Sequence, residues 1–222
     1  PVVEAWRLVN FGDYLSRNLD NLFELSVEHV QLVVISMLLA FAISIPAGVV
    51  AFRKSNLRPV IVSSASVMLT IPSLALFALF VPVFGLGQAP AIAALTLYAL
   101  LPIIGNTIAG LQSVDPAITK SARGMGVGHW RRLFTIELPL AWPVILTGVR
   151  VSTQIVVGIA AIAALVGGPG LGVEIFRGLR SLGSPGAENL VYGGTLAVIV
   201  LALLFDAFFI LVRRFTTSRG IR

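Results

Sequence analysis

From Pro59 to Val114 the chain carries no Asp, Glu, Lys or Arg. A soluble domain cannot leave a stretch of that length without charge, because part of it must face water. At 1.5 Å per residue a single helix would far overrun a hydrocarbon core about 30 Å thick. The segment must therefore fold back inside a membrane, and the turn formers Gly85-Leu86-Gly87-Gln88-Ala89-Pro90 mark the place. Composition agrees. Hydrophobic residues make up 57% of the 222 and charged residues 12%, against about 25% charged in ordinary soluble domains, and the mean hydropathy is +0.95. A soluble enzyme and a disordered chain are both excluded, and within these 222 residues no separate soluble domain of ordinary size is expected.

The fold class expected is an all-α integral membrane protein with five transmembrane helices at about 30–52, 60–84, 91–112, 141–166 and 190–212. Five crossings put the termini on opposite faces. Eleven of the sixteen Lys and Arg fall in loop 53–58, loop 113–140 and the tail 213–222, against four in the N-terminal segment and loop 167–189. The richer side is expected to be cytoplasmic, which places the N terminus outside and the C terminus inside. The same rule explains the net charge of +6 without nucleic acid. Residues 1–29 have no basic region before an apolar core, so they do not read as a secretory signal. Leu15, Leu19, Leu22 and Phe23 share a helical face away from Asp13, Arg17, Asp20 and Glu24, as in an amphipathic helix on the outer membrane surface.

Cysteine is absent, so no disulfide, thiolate or cysteine-based metal site exists. His29 and His129 are too few for a metal centre; His29 reads as an interface residue and His129 as part of the loop described below. Pro46, Pro72, Pro102 and Pro143 fall in the expected spans, where they either set helix packing or bend helices along a pathway. Arg150 and Asp206 are the only charges inside the last two spans. Each lies roughly 10–12 Å from its expected cytoplasmic end. Matching depth and opposite sign predict a pair, serving as bundle glue or touching substrate. In 167–189 the run Gly167-Gly168-Pro169-Gly170-Leu171-Gly172 ends span four. Ile175, Leu179 and Leu182 then share a face partly opposite Glu174, Arg177 and Arg180, as an outer gate, a partner's seat or a surface turn.

Loop 113–140 holds the most specific pattern. Asp115-Pro116 starts a helix with an N-cap carboxylate and a proline at the first position. Gly124, Gly126 and Gly128 end it. A second short helix through Trp130, Leu133, Phe134 and Glu137 is expected to stop at Leu138-Pro139. Arg123, Arg131 and Arg132 flank apolar Ile118, Met125, Trp130 and Phe134. This knob is either a docking surface for another protein or a loop facing lipid headgroups.

The spacing resembles the cytoplasmic loop of permease subunits of ATP-binding-cassette importers: Glu-Ala-Ala, three residues, Gly, nine residues, Ile-x-Leu-Pro. Here Lys120-Ser121-Ala122 is followed after three residues, among them Arg123 and Gly124, by Gly126. Nine more lead to Ile136-Glu137-Leu138-Pro139. Lys120 and Ser121 depart from the pattern. Residues 24–53 and 148–172 are similar to the glycine betaine, carnitine and choline importer permeases. The resemblance implies the type I importer permease fold, with 115–139 as the coupling helix seated in a groove of an ATPase subunit. It implies two ATPase subunits, a second permease chain in a homo- or heterodimer, an extracytoplasmic substrate-binding protein and surrounding membrane lipid, in a prokaryotic cell membrane. This chain has no G-x-x-x-x-G-K-[ST] loop. ATP and magnesium are thus expected on the partner, and the chain is expected to be a non-catalytic subunit. A methionine-type importer and a secondary transporter are the alternatives.

Overall fold

The computed structural model describes residues 2–216, with side chains from residue 11 onward; the tail residues Arg219 and Arg222 lie outside the described residues. Nine α-helices occur among them, and no strand: α1 Val2–Arg53, α2 Arg58–Thr70, α3 Ser73–Phe84, α4 Gln88–Gln112, α5 Pro116–Gly124, α6 His129–Arg132, α7 Leu138–Ala160, α8 Gly172–Arg180 and α9 Ala187–Thr216. A π-turn, Leu133–Glu137, joins α6 to α7, and a 3-10 turn, Ala161–Val166, follows α7. Four helical stretches are long and apolar enough to cross a membrane, or five if the broken pair α2 and α3 counts as one.

Three sequence expectations meet a different backbone. No boundary falls at residue 29: α1 is one helix of 52 residues, because neither Gly nor Pro occurs between Gly12 and Pro46 to end it. Its buried stripe is Leu22, Leu25, His29, Leu32 and Ser36, while Leu19 and Phe23 of the expected amphipathic face stay exposed. The span expected at 60–84 is two helices of 13 and 12 residues, each too short to cross alone. Pro72 adopts an extended ψ of 135° ahead of α3, and its ring disfavours helical geometry at Ile71. Pro139 does not stop the helix expected to end there. It lies one residue inside α7, directly after the π-turn, in a helical run that is unbroken from His129, and the π-turn makes room for the ring and its missing N–H.

Contacts divide the chain into two units. One comprises Pro1–Ser36, Ile71–Leu95 and Ile155–Leu204. Leu22, Leu25, Leu171 and Leu201 form a buried cluster there. Gly167 closes the 3-10 turn in the left-handed region at φ 81°, and Gly87 N donates to Val166 O at 2.8 Å. The fully buried His29 donates from Nε2 to Val157 O at 3.1 Å; a carbonyl only accepts, so that nitrogen carries the proton. His29 is thus a core residue rather than the interface residue expected. Beside it, Gly170 N donates to Glu28 Oε2 at 3.0 Å.

The other unit comprises Met37–Thr70, Thr96–Gln154 and Phe205–Arg222. One of its cores joins Leu111, Val114, Leu133, Ala141 and Ile145 to Val49, Phe52 and Leu138. A second joins Ala51, Ala65, Ile104 and Ile108. Lipid tails are as apolar as the side chains, so helices gain by close backbone approach at small residues. A Cβ at Gly148 on α7 would lie 2.6 Å from Pro102 O and Asn106 Cβ on α4; one at Gly110 would lie 2.8 Å from Ala141 O. Ser152 Oγ donates to Ala99 O at 2.9 Å between the same helices. Gly148→Val should therefore lower stability by about 1–3 kcal/mol, the usual cost of overpacking, read as an earlier thermal transition in detergent. Val151→Ala, at an exposed position on the same helix, should leave it nearly unchanged.

Candidate functional site

The knob begins as its sequence predicts. Asp115 Oδ1 accepts from Ala117 N at 2.7 Å, with Pro116 opening α5. At the other end Val127 N donates to Ala122 O and Gly126 N to Arg123 O, each at 3.0 Å. These two bonds form a Schellman cap, with Gly126 at φ 78° as the left-handed residue. The Ala-x-x-x-Gly spacing thus has a structural cause. Ala122, buried at 1% exposure, supplies the carbonyl one turn inside the helix, and four residues later the chain needs a residue that tolerates positive φ. Lys120, Ser121, Arg123 and Gly124 are exposed around it.

Beyond the cap, Trp130 and Phe134 stack with ring centroids 6.4 Å apart, and His129 meets Trp130 edge-on at 5.7 Å. Met125, Trp130 and Phe134 are 76%, 67% and 62% exposed, with Lys120, Arg123 and Arg131 exposed on the same segment. Ile136 and Leu138 are half-buried, and Leu138 packs on the Leu133 core. The exposed Pro139 lines an apolar cavity of about 370 Å³ with Phe41, Ile45, Phe134 and Trp142. A more polar cavity of about 510 Å³ opens beside the start of α5, with Asn106, Asp115, Thr147 and Arg213 on its walls.

Sequence reasoning missed two arrangements. Glu137 is buried between two arginines: Arg132 Nε donates to its Oε1 at 2.8 Å, and Arg53 NH2 donates to its Oε2. In the other unit, the fully buried Glu174 accepts from Tyr14 Oη at 2.9 Å, from Arg177 NH1 at 2.9 Å and from Asn21 Nδ2 at 3.5 Å. It therefore faces inward, while Leu179 and Leu182, on the face expected opposite to it, are exposed. Burying an acid this way needs partners on every side. The only signal in the sequence was an acid beside residues of opposite charge, which many surface segments share.

Arg150 and Asp206 meet. Arg150 Nε donates to Asp206 Oδ1 at 2.6 Å and its NH2 to Oδ2 at 2.8 Å, a bidentate fork. Removing one partner leaves a lone charge in an apolar bundle, which costs more than losing both. Asp206→Ala should therefore destabilise the protein in detergent more than Arg150→Met combined with Asp206→Leu. Equal losses would show that the pair carries no mutual dependence.

A family model described as the binding-protein-dependent transport system inner membrane component matches residues 34–217. The chain is 36% identical to the osmoprotectant import permease protein OsmW of Salmonella typhimurium, over 94% of its own length and 98% of that protein's. It is 34% identical to the glycine betaine/carnitine/choline transport system permease protein OpuCB of Bacillus subtilis, over 94% of each. A solved structure of the MetNI methionine ABC transporter in an inward-facing conformation superimposes with a TM-score of 0.77 at 20% identity, covering 89% of this chain and 96% of that one. The last likeness establishes the fold, and the first three make the chain a member of the binding-protein-dependent transport system inner membrane component family.

Proposed function

We propose that the chain is the membrane-spanning permease subunit of an ATP-binding-cassette importer for a small osmoprotectant such as glycine betaine, choline or carnitine. The observation that carries this reading is the capped knob. Asp115 and Gly126 cap its first helix, α5, and Met125, Trp130 and Phe134 stand out from it on a chain whose relatives are osmoprotectant permeases. An exposed apolar cluster with a basic rim fits a protein partner better than water. That partner is a separate ATPase, one of two, which holds ATP and magnesium. This chain contributes no chemistry to hydrolysis.

A second permease chain completes the pathway, and an extracytoplasmic binding protein delivers substrate to it. The lysines and arginines of loops 53–58 and 113–140 put the knob on the cytoplasmic side. There it moves with the ATPase pair as nucleotide binds, biasing the spans between inward- and outward-open packings. Such a bias requires different nucleotide affinity in the two states. Arg150 and Asp206 hold α7 and α9 together during the switch.

Co-expression with the candidate ATPase and binding protein should yield a complex whose hydrolysis rises with loaded binding protein, and which accumulates labelled glycine betaine, choline or carnitine in proteoliposomes only with ATP. Gly126→Trp, which disturbs the left-handed cap, should leave the complex assembled yet reduce uptake by at least about tenfold. Uphill accumulation by the chain without any ATPase, or labelling that finds the knob outside the cell, would overturn the reading.

A further inference from the structure

Glu137, Arg132 and Arg53 form a cluster with two cations for one anion at the junction of α1, the knob and α7. The side chains of Arg132 and Glu137 are 6% and 5% exposed, and that of Arg53 24%. We propose that Glu137 is a positioning residue that transmits movement of the knob to the end of α1, gripping Arg132 on one side and Arg53 on the other. The inference rests on the coupling role proposed above and adds to it a specific mechanical link.

The backbone makes the first half of the grip. Residues five apart in an α-helix point roughly 140° away from each other at 3.6 residues per turn. Arg132 and Glu137 are five apart, and they meet because the intervening segment is a π-turn, with Leu138 N donating to Leu133 O. Closing bonds from i to i+5 brings such residues toward one face. The ion pair and the π-turn therefore depend on each other. If the turn tightens to α-geometry, Glu137 swings away from Arg132.

The second half is the more exposed one: each arginine gives Glu137 a single nitrogen, but the Arg53 side chain is 24% exposed against 6% for Arg132. Arg53, the last residue of α1, offers Glu137 one terminal nitrogen, while its buried Nε has no hydrogen-bond partner. Arg150 by contrast grips Asp206 with two nitrogens. When Arg53 lets go, the Glu137 carboxylate stays paired with Arg132, so no bare anion is left in the interior. Arg53 itself keeps water on its exposed side and the Phe52 ring, 5.5 Å from its guanidinium carbon. The link can thus open and close without the penalty that usually locks a buried ion pair. Two alternative arrangements of a packed element are what a switch between two conformations requires.

The test uses the assembled complex in proteoliposomes, with binding protein outside and ATP inside, and reads substrate taken up per ATP hydrolysed. Arg53→Gln removes the α1 link at a partly exposed position. It should leave assembly and hydrolysis intact while uptake per ATP falls at least about fivefold. Arg53→Lys, which keeps the charge, should recover most of the ratio, and Glu137→Gln should lower it as Arg53→Gln does. An unchanged ratio in Arg53→Gln overturns the inference. So does a parallel loss of assembly in Arg53→Gln and Arg53→Lys, which would mean the residue only supports the fold. Wild-type complex that shows no ATP-driven uptake would instead defeat the permease assignment itself.

Discussion

Hydrocarbon offers no partner to an unpaired amide or carbonyl, and each one left there costs several kilocalories per mole. Everything characteristic of this chain follows from that. Its apolar stretches are helical throughout, and irregular backbone is confined to short joints. At Ile71-Pro72 the helix gives way altogether. At Leu133–Glu137 it widens to a π-turn ahead of Pro139, and at Ala161–Val166 it tightens to a 3-10 turn that Gly167 closes. At Ile71-Pro72 the flanking helices meet at 100°.

The same cost governs side chains. Glu137, Glu174 and Asp206 each face at least one arginine, and Glu28 takes a backbone N–H from Gly170. No two of these arrangements are alike. Asp206 has one bidentate partner, Glu137 is shared between two arginines, and Glu174 adds a tyrosine hydroxyl and an amide to its arginine. A bidentate pair holds helices in fixed register. A shared carboxylate can hand over from one partner to another, which suits a place where motion has to pass.

Much of the knob was legible from the sequence. Asp115-Pro116 and the glycine at 126 are local devices, and their geometry depends on a few neighbouring residues. The Arg150–Asp206 pair was legible for a different reason: two lone charges in apolar runs have few possible partners. Glu137 and Glu174 lie in segments with several nearby charges, so nothing local distinguishes a buried acid from a solvated one. The interior stripe of α1 was not legible for a related reason: exposed Leu19 and Phe23 are as apolar as buried Leu22 and Leu25, so in a membrane protein hydrophobicity stops reporting burial.

The sequence alone determined that the chain lives in a membrane, roughly where it crosses, and that a capped helix with a left-handed glycine stands between two crossings. Those properties come from hydropathy and short-range stereochemistry. Only tertiary structure decided that Pro72 breaks a helix while the helix runs on through Pro139 by way of a π-turn, that His29 is a core residue, and that Glu137 joins α1 to the knob. A proline's effect depends on whether surrounding segments can satisfy the freed carbonyl. A buried charge, likewise, depends on partners brought near by the packing of distant helices.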